Sequence, residues 1–399
     1  MEKYLRIPLL FLFVGSVIGI VLRWQFISPS PLINYTNVLH SHSHIMFLGW
    51  VFNAIYIAFT VNFIEAKKLN TFRVIFLLLQ AMNIGMLIAF PLQGYGTYSI
   101  IFSTLHTILS FVFIVIYFRR VWKAETQSVW LSKVALGFCA LSSLGPFSLA
   151  YIVANDLQNT HWYNYAIYFY LHFQYNGFFF FGIASLFVRW IENTSFINPA
   201  PLKSIWQWFL IACFPTYFLS ILYSEPGTMY NVAGAAGACI QLYAYAKLAH
   251  WGNNHRVLLK EIFGDTSPFL KMISIAIAIK LVLQLLSCIP RIAQMAYEFR
   301  PITIGYLHLV LLGIISSALL VWYKLTGLFS SAFKVLFLIF LSAFVLMEAV
   351  LISTPWWPDV SLVFSSVTHL FCTAIILSVC CLGFAAIFKK GAIISLTKR

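Results

Sequence analysis

About twelve apolar stretches of bilayer-crossing length follow one another along this chain, with only short connections between them. A helix needs roughly 20 apolar residues to cover the hydrocarbon, and only helices and closed barrels satisfy every backbone group there. The stretches run near 7–23, 42–64, 74–92, 98–118, 130–154, 163–188, 205–223, 229–249, 268–289, 302–323, 332–354 and 362–388. Of the 399 residues, 61% are hydrophobic and only 9% charged, against about a quarter charged in a soluble domain. The sequence therefore predicts an all-α integral membrane protein with about twelve transmembrane helices. A single polytopic domain over 1–399 accounts for everything, and the first stretch reads as a span, not as a signal peptide, since many like it follow.

Charge placement orients the chain. Of the 25 Lys and Arg, 21 fall at the termini and in connections that share one side, and the basic side of a membrane protein is cytoplasmic. Both termini are thus predicted to be cytoplasmic, in a cell's inner (cytoplasmic) membrane. The net charge of +14 is then explained by basic loops facing anionic lipid, with the lipid bilayer as partner and no role for nucleic acid. Only Arg23, Arg291 and Arg300 fall on the outer side, while Lys280 and Glu348 lie within spans. The seven cysteines are scattered through apolar runs without a CxxC pair and read as small core residues.

Ten histidines remain to be placed, and three open the second span: His40-Ser41-His42-Ser43-His44-Ile45-Met46-Phe47-Leu48-Gly49-Trp50. Ionisable side chains inside a membrane are costly and mark functional sites by default, and neutral imidazole is the commonest metal ligand. The pattern His-x4-Gly recurs. His44 precedes Gly49 in the second span, His172 precedes Gly177 in the sixth, and His308 precedes Gly313 in the tenth. The histidines are 128 and 136 residues apart, four spans each time, and His106 and His369 in the fourth and twelfth spans are 263 apart, close to the 264 between His44 and His308. We read three four-helix repeat units, approximately 1–125, 126–260 and 261–399. In the predicted orientation His44, His106, His172, His308 and His369 all lie within about ten residues of an outer end, so they share a depth in the outer half of the bilayer. Histidines brought to one level in a bundle build a metal or haem site. His161, His250 and His255 fall in loops and read as solvated.

On these residues the chain resembles subunit I of the haem–copper oxidases and nitric oxide reductases, which have twelve spans in three four-helix units with histidines in spans two, six and ten. The second-span family motif His-x-x-Ile-Met is matched by His42-Ser43-His44-Ile45-Met46, which implies His42 as a ligand of a low-spin haem b. The tenth-span motif implies His308 as the opposite ligand, but Tyr306 stands where the high-spin haem ligand belongs. Trp206 to Leu222 carries no histidine where the family has a copper-binding pair. The resemblance therefore implies a retained electron-carrying haem and a lost oxygen-reducing centre. The opening stretch also resembles the NnrS family of haem- and copper-containing membrane proteins linked to nitric oxide tolerance, except that Ile45 follows His44 where that family tends to have an acid.

Helical geometry leaves the ligand open between His42 and His44. His40 and His44 share a face, with His42 about 200° round from His40; the family motif favours His42 and the internal repeat favours His44. Haem propionates would need partners, for which Arg23, Arg291 and Arg300 are the outer candidates. A smaller copper site would draw on His172 with His106 or His369. The expected function is that of a haem-b membrane protein in electron transfer or nitric oxide or oxygen chemistry, served by a cytochrome or other electron donor. The chain is not expected to be a terminal oxygen reductase. The alternative is a cofactor-free transporter or structural membrane protein whose histidines pack in the core.

Overall fold

The computed structural model describes residues 1, 4–26, 28–194, 196–329 and 333–353. His369, the expected twelfth span and Cys372, Cys380 and Cys381 lie outside the described residues. Every regular element among the described residues is helical, and none is a strand. Nine of these helices are long and apolar enough to cross a membrane. The chain is a multi-pass helical membrane protein. The nine coincide with the expected spans one to seven, nine and ten. The 27-residue helix Thr228–Asn254 occupies the eighth position, its apolar run diluted by glycines, Asn231 and Gln241. Phe333–Ser353 occupies the eleventh.

The chain divides into two compact units. One is Met1–Lys123 together with the described residues from Tyr323 onward, and the other is Ala124–Trp322. In the first unit, α1 (Arg6–Trp24) packs on α2 (Tyr35–His44) and on the π-helical stretch Ile45–Phe52 that continues it into α3 (Asn53–Phe63). Helices α4 (Leu69–Gln93) and α5 (Thr97–Val121) pair with each other. The side chain of Asn34 caps α2 by accepting the Asn37 N–H at 3.1 Å, the usual N-cap device. Helix α4 ends at Gly94, whose φ of 58° suits glycine at a helix C-terminus. Exposed apolar side chains on α4 and α5, such as Ile88, Ile108 and Val115, suit contact with lipid.

Inside this unit two buried amides form a reciprocal pair. Asn53 donates to Gln80 Oε1 at 2.8 Å and Gln80 donates back at 3.2 Å, both side chains being buried. Tyr56 donates to the Phe72 carbonyl at 2.8 Å, and its ring lies 4.0 Å from that of Phe113.

The second unit begins with α6 (Gln127–Ser142) and α7 (Leu144–Ala154), which pack against one long span built from three pieces. These are α8 (His161–His172), the π-helical stretch Phe173–Phe179 and α9 (Phe180–Glu192). Then follow α10 (Leu202–Cys213), a 3₁₀ stretch Pro215–Ser224, α11 (Thr228–Asn254), α12 (Arg256–Phe263) and α13 (Ser267–Leu286). The unit closes with α14 (Pro290–Glu298), α15 (Arg300–His308) and a third π-helical stretch, Leu309–Ser316, which leads into α16 (Ser317–Leu325). The Glu192 carboxylate accepts the Ser128 N–H at 3.0 Å and its hydroxyl at the start of α6, where unpaired N–H groups and the helix dipole favour negative charge.

Candidate functional site

Each His-x4-Gly histidine is the last α-helical residue before a π-helical stretch. His44 precedes Ile45–Phe52, His172 precedes Phe173–Phe179, and His308 precedes Leu309–Ser316. Gly49, Gly177 and Gly313 fall inside those stretches. The π-helix makes up well under about 1% of protein structure and concentrates at functional sites, so three at equivalent positions point to one common device. The three spans that carry them are also the most buried of the nine, at 78%, 83% and 61%, against 28–50% for the others.

Contacts around the first two stretches recur at a nearly constant offset. A Cβ on Gly49 would lie 2.8 Å from the Phe11 ring of α1, and one on Gly177 would lie 2.6 Å from the Phe138 ring of α6. A Cβ on Gly15 would collide with Met46 Sδ; at the corresponding place Gln174 donates to Ser142 Oγ at 2.9 Å. Met46 and Gln174 are 128 residues apart, Gly15 and Ser142 127. Sequence reading misses this second pair because the side chains are chemically unlike.

The opening histidines divide between two faces. Helix α2 is regular through His44. The His40 and His44 rings turn toward Phe90 and Tyr95, with His44 stacked on Phe90 at 4.2 Å. His42 turns toward α1, where Nδ1 meets the Gly15 carbonyl oxygen at 2.9 Å. A carbonyl only accepts, so His42 carries its proton on Nδ1 and keeps the Nε2 lone pair. That hydrogen bond is the usual outer-shell support of a metal-ligating imidazole. Arg23 in the last turn of α1 is half-buried and within electrostatic range of His42. His44 is held in a similar tautomer by the His40 carbonyl at 2.9 Å, a bond within its own helix.

The other expected ligands differ. His106 is 1% exposed, lies 5.1 Å from the Phe52 ring, and is within electrostatic range of His44. Its Nε2 has no hydrogen-bond partner, and Asn83 in the same unit is wholly buried with neither amide atom bonded. His172 has both ring nitrogens engaged. Nε2 donates to the Cys213 carbonyl at 2.8 Å, and Nδ1 accepts from Asn176 at 3.1 Å. To ligate a metal it would have to give up one of these bonds. The Asn176 partner one helical turn on was legible in the sequence; the carbonyl was not.

His308 is half-buried at the end of α15, and the Tyr306 ring lies 6.3 Å from that of Tyr175. Arg291 and Arg300 are exposed, on α14 and at the first position of α15. His161 and His250 are exposed, and His255 bonds back to the Trp251 carbonyl at 2.9 Å. Among the described residues, no three His, Cys, Asp or Glu side chains come together as a ready-made metal site. The chain matches no protein-family model and no curated protein sequence.

Proposed function

We propose that this chain is a haem-b-binding protein of the inner membrane, with twelve spans in three four-helix repeats and both termini cytoplasmic. It would carry electrons, or react with nitric oxide or oxygen, without a terminal oxidase centre. The observation that carries this reading is His42: half-buried near the N-terminal end of its span, oriented by the Gly15 carbonyl, with Nε2 left to ligate. The recurrence of a π-helical stretch after each repeat histidine supports it. The resemblance implies His308 as the second histidine that would hold the haem.

A haem held by two imidazoles would supply one-electron transfer. The chain's part is to fix the imidazoles. The Gly15 carbonyl sets the tautomer and rotation of His42, and close packing of Gly15 on Met46 holds α1 against the second span. Arg23 offers a bidentate donor for a propionate on the same side, with exposed Arg291 and Arg300 as further candidates.

Copper at His172 with His106 or His369 would require His172 to release Asn176 or the Cys213 carbonyl. The fully bonded state of His172 favours a second reading, in which that histidine and its span are structural and the protein is cofactor-free. A reduced-minus-oxidised absorption spectrum of protein purified from haem-replete cells separates the two. Haem bands support the first reading, and their absence sinks it.

A further inference from the structure

A cavity of about 20 Å³ lies within the second unit, where the second and third π-helical stretches approach α13. Its polar lining is Lys280 from α13, Tyr175 and Asn176 from the second π-helical stretch, and Gln241 from α11; the remaining lining is apolar. Lys280 is 8% exposed and Gln241 is 4% exposed. Gln241 donates to Thr216 Oγ1 at 3.4 Å, but its Oε1 has no partner. Gln284, one turn beyond Lys280 on the same helix face, likewise keeps a buried, unpartnered Oε1.

Among the described residues, no salt bridge joins Lys280 to a carboxylate. Lys68–Glu65 and Arg189–Glu192 pair elsewhere, and His172 and Cys213 lie within electrostatic range of Lys280. An ammonium in the interior of a span is stable only when paired and hydrogen-bonded. Tyr175 and Asn176 line the cavity with Lys280 and carry further donor groups, one amide hydrogen of Asn176 going to His172. A water needs roughly 10–15 Å³ of such space, so a cavity of about 20 Å³ suits a small guest of one heavy atom.

We propose that this cavity binds one monovalent inorganic anion of halide size, held by the Lys280 ammonium with Tyr175 and Asn176 as further donors. The site uses none of the residues assigned to haem, and its test does not depend on haem.

The experiment measures thermal unfolding of the purified full-length protein in chloride, bromide, gluconate and sulfate at equal ionic strength. Chloride and bromide are expected to raise the midpoint saturably, whereas gluconate and sulfate leave it unchanged. Lys280→Met should abolish the halide effect, and the exposed Lys271→Met should keep it. A wild-type midpoint indifferent to halide, or an equal halide shift in Lys280→Met, overturns the proposal. If Lys280→Met does not fold, anomalous diffraction from bromide-grown crystals of the wild type decides. A bromide peak beside Lys280 supports the site, and a water or nothing there refutes it. Haem content, read from absorption of the same samples, is expected to be unaffected by either substitution.

Discussion

Gly49 and Phe11 meet so closely that the phenyl ring occupies the space a Cβ would need, 2.8 Å from its position. Gly177 and Phe138 repeat the arrangement at 2.6 Å in the other unit. Each glycine sits within a π-helical stretch, so the ring of the preceding span seats itself where the helix is widened.

That relationship predicts a size rule. Gly49→Ala should destabilise the protein by about 1–3 kcal/mol through overpacking, and adding Phe11→Leu should recover part of the loss. Gly177→Ala with Phe138→Leu should behave alike. Thermal unfolding in detergent measures both cycles. Strictly additive effects, with coupling below about 0.5 kcal/mol, would show that the rings and glycines do not interact as described.

His172 is predicted to stabilise the second unit without touching any cofactor. His172→Ala leaves Asn176 and the buried Cys213 carbonyl without their partner, at a cost of about 1–3 kcal/mol for each group left unsatisfied. The unfolding midpoint should fall while the absorption spectrum stays as in the wild type. A spectrum altered at unchanged stability would return His172 to the metal-ligand set.

The Asn53–Gln80 pair makes a third case. Removing one partner strands the other in a buried site, so Asn53→Leu and Gln80→Leu should each destabilise by about 1–3 kcal/mol. The double variant should lose less than the two singles together. Equal losses in the double and the summed singles would mean that the reciprocal hydrogen bonds contribute nothing as a pair.

Much of the helical frame is legible in the sequence, because hydrocarbon demands long apolar runs and these are counted directly. Thr228–Asn254 shows the limit: its glycines and amides lower its apolar character while the helix persists for 27 residues. The His-x4-Gly spacing marks where each π-helical stretch begins. No residue type signals a π-helix, though, so the widened backbone itself is not readable. Opposite faces for His42 and for His40 with His44 follow from helical periodicity alone. Their tautomers do not, since these depend on where the Gly15 and His40 carbonyls fall. Lys280 stands out in the sequence as an intramembrane charge, but the cavity beside it is assembled from five separate spans and has no local signature.

The choice between neighbouring histidines is open to direct test. His44 stacks on Phe90 and bonds within its own helix, so His44→Ala should cost packing stability and leave any bound haem's spectrum in place. Spectra and unfolding of the His44→Ala protein report both. Loss of the haem bands with an intact fold would transfer the ligand role from His42 to His44.

The central claim is that His42, held by the Gly15 carbonyl, is an axial ligand of haem b. The most direct measurement is the reduced-minus-oxidised absorption spectrum of wild type and His42→Ala, purified side by side from haem-replete cells. The account predicts a six-coordinate b-type spectrum in the wild type, lost or converted to a five-coordinate form in His42→Ala. A wild-type protein without a Soret band, or a spectrum identical in the two proteins, contradicts it.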